Sequence, residues 1–134
     1  MLRRRLRGAM AAAVLGGGRV SQFTDIPAAE SYALEDLYAA TGGGSWTNKT
    51  GWDGATAADA FGVTVSGGRV TSVVLQSNNL VGSVATWQPG ALSAATVIDL
   101  RSNAGLTGDI SGWTLPASLE AFYVSSPSVT GDIS

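Results

Sequence analysis

The sequence predicts an α/β-type solenoid: short parallel strands stacked one behind another, entered through a helical N-terminal cap and open at the C-terminal end. Three observations carry that expectation. First, the tetrapeptide Gly-Asp-Ile-Ser stands at Gly108 to Ser111 and again at Gly131 to Ser134, a shift of 23 residues. Second, one apolar frame occurs three times: Val70, Val73, Leu75, Asn78, Leu80, Gly82 and Val84; then Ala95, Ile98, Leu100, Asn103, Leu106, Gly108 and Ile110; then Leu119, Phe122, Val124, Pro127, Val129, Gly131 and Ile133. The steps from Leu75 to Leu100 and from Leu100 to Val124 are 25 and 24 residues, inside the window of about 20–50 residues in which stacked architectures declare themselves. Third, a stretch with three- and four-residue apolar spacing precedes the copies, as a helix requires.

Taken in order, residues 1–24 read as a basic leader, disordered or targeting. Met1 to Arg7 holds four arginines, Ala9 to Leu15 is mildly apolar, and no acid precedes Asp25. That pattern fits a secretory signal, an organelle transit peptide or a plain tail. It is too short for a membrane span, which needs about 18–20 apolar residues. Residues 25–68 form the cap. A helix over 27–40 opens at Pro27 and buries Ile26, Ala33, Leu37 and Ala40 with Tyr38 beside them, while Glu30, Glu35 and Asp36 form a solvated face. Gly42 to Gly44 stops it, a turn carrying Trp46 and Trp52 follows, and a first strand is expected near 62–65. Residues 69–134 hold the three copies, the last incomplete. No polar closing unit follows Ile133, so the chain is expected to be a fragment of a longer protein.

Within each copy the physics is explicit. Val73 and Leu75, Ile98 and Leu100, and Phe122 and Val124 alternate with residues that point the other way, as a strand with one buried face requires. Asn78 and Asn103 follow their strands by three residues and can turn inward as a structural ladder that satisfies buried amides. Pro127 cannot. Gly82, Gly108 and Gly131 admit a backbone that a β-carbon would hinder.

Composition removes whole classes of chemistry. The 134 residues contain no Cys and no His, so a disulfide, a zinc cluster, a thiolate nucleophile and an imidazole base are excluded. No metal and no cofactor are expected. The net charge is −2, but from Val20 onward 3 basic and 10 acidic residues give 3 − 10 = −7. Such a body does not neutralise phosphates, so no nucleic-acid partner is expected. Gly16 to Gly18 and Gly42 to Gly44 lack the strand, Lys-Ser/Thr pair and helix that a phosphate loop needs.

The frame from Val70 to Val84 resembles the plant-type leucine-rich repeat, L-x-x-L-x-L-x-x-N-x-L-x-G-x-I-P, although the proline after the Ile position is absent throughout. The resemblance extends to Leu34 to Thr41, Trp46 to Trp52 and Gly62 to Val65, which look like that family's N-terminal cap. There the family holds a Cys pair around a W-x-G-V-x-C segment; here Ala58 and Val65 stand at the Cys positions and Ala60 at the Trp position, leaving Trp46, Trp52 and Phe61 to pack the cap. The resemblance implies a right-handed superhelix and the cap plus first repeats of a leucine-rich repeat ectodomain. It leans toward a secreted or membrane-associated location, which the Cys-free cap weakens.

It also implies a noncatalytic module that binds a protein or peptide, with a piece of a receptor-kinase ectodomain as the alternative. A polysaccharide-acting parallel β-helix enzyme is the more distant reading. It would need two carboxylates flanking a cleft, from Asp99, Asp109, Glu120 and Asp132. The expected contacts are outward-facing strand residues: Val74, Gln76, Asp99, Arg101 and Tyr123, with Arg101 and Tyr123 foremost because those residue types dominate binding hot spots. Against this, Asp99 and Arg101 could simply pair laterally. Asn48-Lys49-Thr50 is a candidate N-glycosylation sequon, and Trp87 and Trp113 are expected to pack along the back.

Overall fold

The computed structural model describes residues 19–131. The basic leader before Arg19 and the apolar Ile133 lie outside the described residues. The helix α1 runs Ala28–Ala40, against 27–40 expected. Pro27, at φ −60°, is its N-cap, and its missing N–H is one that no helix start could pair. Thr41 ends the helix, donating its backbone N–H and its hydroxyl to Leu37 O at 3.1 and 2.6 Å, and the next residue, Gly42, is left-handed at φ 64°. The buried face is Ala33, Leu34 and Leu37, whereas Ala40 is exposed.

Seven short strands follow: β1 (Val63–Ser66), β2 (Arg69–Val74), β3 (Val81–Ser83), β4 (Val97–Asp99), β5 (Gly105–Asp109), β6 (Ala121–Tyr123) and β7 (Ser128–Thr130). A four-stranded sheet has the order β1-β2-β4-β6 and a three-stranded sheet the order β3-β5-β7. β1 and β2 are antiparallel and are joined through Gly67 and Gly68, at φ 61° and 75°; two consecutive positive φ values match the twist of a tight hairpin. β2, β4 and β6 are parallel, aligning Val73 with Ile98 and Phe122, and Val74 with Asp99 and Tyr123. β3, β5 and β7 are parallel too, aligning Ser83, Thr107 and Ser128.

This corrects the expected architecture. The described residues form one α-helix and two small sheets, the larger of them mixed; a leucine-rich repeat superhelix with a helical cap is not what they build. The physical reason lies in the number of units. An alternating frame specifies which residues of a short strand face inward, but superhelical curvature is the sum of small rotations over many units. Here each sheet has three parallel strands, and the connection between β3 and β4 contributes a single 3₁₀ turn, Pro89–Ala91.

The core lies between the two sheets and α1. Val73 and Ile98 in the first sheet with Leu75 and Leu100 just beyond it, and Leu106 in the second with Leu80 and Val84 beside it, are fully buried. Trp87, Trp113 and Phe122 form an edge-to-face chain with centroids 5.4 and 5.8 Å apart. Both indole N–H groups find buried carbonyls, Trp87 donating to Ala33 O at 2.8 Å and Trp113 to Val84 O at 2.9 Å. The turn region packs differently from expectation: Phe61 is 38% exposed, and Tyr38 instead stands beside Trp46 and Trp52, at 5.1 and 5.8 Å, with Phe23 against Trp52 at 6.2 Å. Gly82, at φ 133°, presses on α1: a β-carbon there would stand 2.2 Å from Ala40 O.

The acidic helix face is also corrected. Glu35 and Asp36 face Arg19 at 3.5 and 3.1 Å, but Glu30 is fully buried. One of its oxygens accepts the Val70 N–H at 2.8 Å and the other the Arg69 Nε–H. A carboxylate in the interior must be paired, and β2 supplies both donors.

Residues 21–26 strap across the helix start and the loop after Trp52. Asp25 accepts the N–H groups of Ala57 and Ala58 at 2.7 and 3.0 Å. Burial pushes the Asp25 carboxyl up, but these backbone hydrogen bonds outweigh it and hold the group below its ordinary range. A carboxyl depressed in the folded state contributes stability that is complete above its unfolded pKa of about 3.9 and is lost as pH falls through the folded value. Asp25→Asn is therefore expected to lower the melting temperature at neutral pH, with the gap from the parent closing in acid. Thermal melts by circular dichroism across that range check it; an equal gap at both ends would refute it.

Candidate functional site

The outward side of the four-stranded sheet is built by alternation. With Val73, Ile98 and Phe122 facing the core, the row Val74, Asp99 and Tyr123 faces out, and two residues further each strand carries Gln76, Arg101 or Ser125. Val74 and Tyr123 are 37% and 44% exposed. Gln76 and Arg101 are exposed as well.

Asp99 departs from expectation: it is 4% exposed. It stands in register between Val74 and Tyr123 and is closed over by the side chain two residues on. Its Oδ1 accepts the Arg101 N–H at 3.2 Å, and its Oδ2 lies 3.1 Å from Arg101 Nη2. The Arg101 Nε–H donates to Gln76 Oε1 at 2.8 Å, and the guanidinium carbon sits 4.4 Å from the centre of the Tyr123 ring. Arg101 thus ties three strands together while committing two of its five N–H donors. Ser125 takes part at the edge of this group, its hydroxyl accepting the Ser102 N–H at 3.1 Å.

The asparagines lie beneath this face. Asn103 Oδ1 accepts the N–H groups of Asn78 and Leu80 at 2.9 and 3.0 Å, and its Nδ2 reaches the carbonyls of Leu75, Leu100 and Arg101 at 2.9–3.1 Å. Asn78 does the same for one further residue, accepting from Asn48 N at 2.8 Å and donating to Asn48 O at 2.9 Å. Sequence reasoning assigned Asn48 only as a sequon; its backbone is also the next step of the ladder, and its own Oδ1 accepts the Thr50 N–H at 3.0 Å. It lines a cavity of about 440 Å³ with Tyr38, Lys49 and Asp53. At the other end Ser126, not Pro127, continues the bonding, its hydroxyl within 2.7 Å of Leu106 O and 3.1 Å of Ala104 O. The available signal was a short hydroxyl side chain beside the proline, a type that bonds nearby backbone groups readily.

Among the described residues no three acidic side chains gather where a cation could sit, and no helix is long and apolar enough to cross a membrane. No protein-family model, curated protein or solved structure matches the chain.

Proposed function

We propose that this protein is a noncatalytic binding module that takes a protein or peptide on the exposed face of its four-stranded sheet. The observation that carries this reading is the fixing of Arg101. Asp99, Gln76 and the Tyr123 ring hold the guanidinium in one place on an exposed surface, so the ordering cost of a long side chain is met before a ligand arrives. Arginine and tyrosine are the residues through which a few contacts dominate binding. The remaining guanidinium donors suit a ligand carboxylate or carbonyl, and Val74 and Tyr123 offer apolar surface on either side of the buried Asp99.

The disposition of the acids supports the same reading. Asp99 is spent on Arg101, and Asp109 accepts the Ser111 N–H and hydroxyl at 2.9 and 2.7 Å. A hydrolytic pair would need two carboxyls facing one bond across a cleft.

The test is a displayed random-peptide library panned against the protein. Enriched peptides are expected to lose about tenfold or more in affinity, about 1.4 kcal/mol, on Tyr123→Ala and on Arg101→Lys, which keeps the charge beside Asp99 but not the planar fork. Asp53→Ala, on the distant loop, is expected to leave binding unchanged. Absence of enrichment, or enriched peptides that ignore both face variants, would overturn the reading.

A further inference from the structure

The loop from Thr47 to Gly54, between α1 and β1, is built of turns, yet its peptide groups are pinned one after another. The Thr47 N–H donates to Asn78 O at 3.0 Å, the Asn48 N–H to Asn78 Oδ1 at 2.8 Å and the Thr50 N–H to Asn48 Oδ1 at 3.0 Å. Lys49 O accepts the Trp52 N–H at 3.0 Å, and Thr50 O accepts the Phe61 N–H at 2.8 Å. A loop held in this way presents its side chains in fixed places before any ligand arrives. Thr47, Asn48, Lys49, Thr50 and Asp53 line a cavity of about 440 Å³ together with Tyr38 from the helix, a size within the range of about 300–1,000 Å³ that small-molecule sites occupy. The Tyr38 ring packs against Trp46, Trp52 and Gly43, so its hydroxyl is the polar group it brings to the cavity.

Two opposite charges face this space without pairing. Lys49 is the only lysine of the chain. Among the described residues Arg19, Arg69 and Arg101 all pair with carboxylates, whereas no ion pair includes Lys49 or Asp53. Lys49 Nζ is tied to Gly44 O at 2.9 Å, which commits one of the three hydrogens of an ammonium and leaves two. A simple anion drawn to Lys49 meets the carboxylate of Asp53 in the same cavity, and a simple cation drawn to Asp53 meets Lys49. A ligand that carries both charges is complementary to both.

We propose that this cavity binds a small zwitterion of the α-amino acid class, its carboxylate at Lys49 and its ammonium at Asp53. The hydroxyls of Tyr38, Thr47 and Thr50 and the amide of Asn48 then take the ligand's polar side chain. The site shares no residue with the Arg101 face, so it stands apart from the face reading.

The test is a titration of the uniformly ¹⁵N-labelled protein, followed by amide chemical shifts, with three probes: L-glutamine, N-acetyl-L-glutamine, which lacks the ammonium, and L-glutaminamide, which lacks the carboxylate. L-Glutamine is expected to give saturable shifts centred on residues 47–54. Each blocked compound is expected to bind about tenfold or more weaker, the worth of one hydrogen bond to a charged group. Asp53→Ala is expected to weaken L-glutamine about tenfold while binding N-acetyl-L-glutamine better than the unaltered protein does, and Lys49→Gln to do the same in favour of L-glutaminamide. Both positions are exposed, so neither substitution is expected to move the melting temperature. Arg101→Lys, at the separate face, is expected to leave the L-glutamine affinity within about twofold. The absence of saturable shifts with L-glutamine would overturn the proposal, as would equal binding of the three probes or variants that keep the parent's order of preference. Should a variant fail to fold, the comparison of the three probes on the unaltered protein still decides.

Discussion

Asn103→Leu is expected to lose about 4–6 kcal/mol of stability, because each buried polar group left unpaired costs about 1–3 kcal/mol. Leucine keeps the branched shape of asparagine and is the bulkier of the two, so a cavity is not the cause. Asn103 is 1% exposed and satisfies two N–H groups through one oxygen and three carbonyls through one amide nitrogen. That nitrogen has two hydrogens, so one is shared, and the site has no slack. Leucine leaves Asn78 and Leu80 with no acceptor in a place water does not reach. Since whole domains are stable by only about 5–15 kcal/mol, the variant is expected to be largely unfolded. Urea titration followed by the fluorescence of buried Trp87 and Trp113 reads this directly; a loss below about 1 kcal/mol, the typical net value of one hydrogen bond, would show that the asparagine is not what holds these bends.

Glu30→Ala is expected to cost about 2–4 kcal/mol, below the full range for breaking a buried ion pair from one side, because Arg69 is 41% exposed and water can take up its charge. The carboxylate joins α1 to the start of β2 through the Arg69 Nε–H and the Val70 N–H, so its removal leaves the buried Val70 N–H without an acceptor and returns Arg69 to solvent and Ser93. Glu30→Gln keeps an oxygen for Val70 and is expected to cost less, about 1–2 kcal/mol. The order of the two variants in denaturant midpoint is the check. Equal losses would mean that the charge on Arg69, rather than the backbone donor, is what Glu30 serves.

Particular residues show where a linear reading reaches and where it stops. The alternation around Val73, Ile98 and Phe122 concerns neighbours two positions apart, and those side chains do face the core. Extending the same frame to a superhelix was an extrapolation, and two small sheets with a single helix stand in its place. Glu30 reads as solvated from its place on the face opposite the apolar one; its partners lie 39 and 40 residues away. Phe61 is expected inside because the Cys pair of the resembled cap is absent, but Tyr38 reaches the tryptophans from the helix instead.

The candidate face divides in the same way. Arg101 and Tyr123 are exposed and adjacent through the β4–β6 register, while Asp99, expected on that surface, is covered by Arg101. Whether an outward residue stays in contact with water depends on what its neighbours' side chains do, and that is not a property of its place in a strand.

Local periodicity, turn glycines, the missing Cys and His and the sign of the charge could all be known from the order of residues, because each depends on neighbours close in the chain or on simple counts. The burial of Glu30 against β2 and the clamp that Gln76 and Tyr123 place on Arg101 could not. Each arises where segments more than twenty residues apart meet, and there packing and desolvation, not local preference, choose the partner.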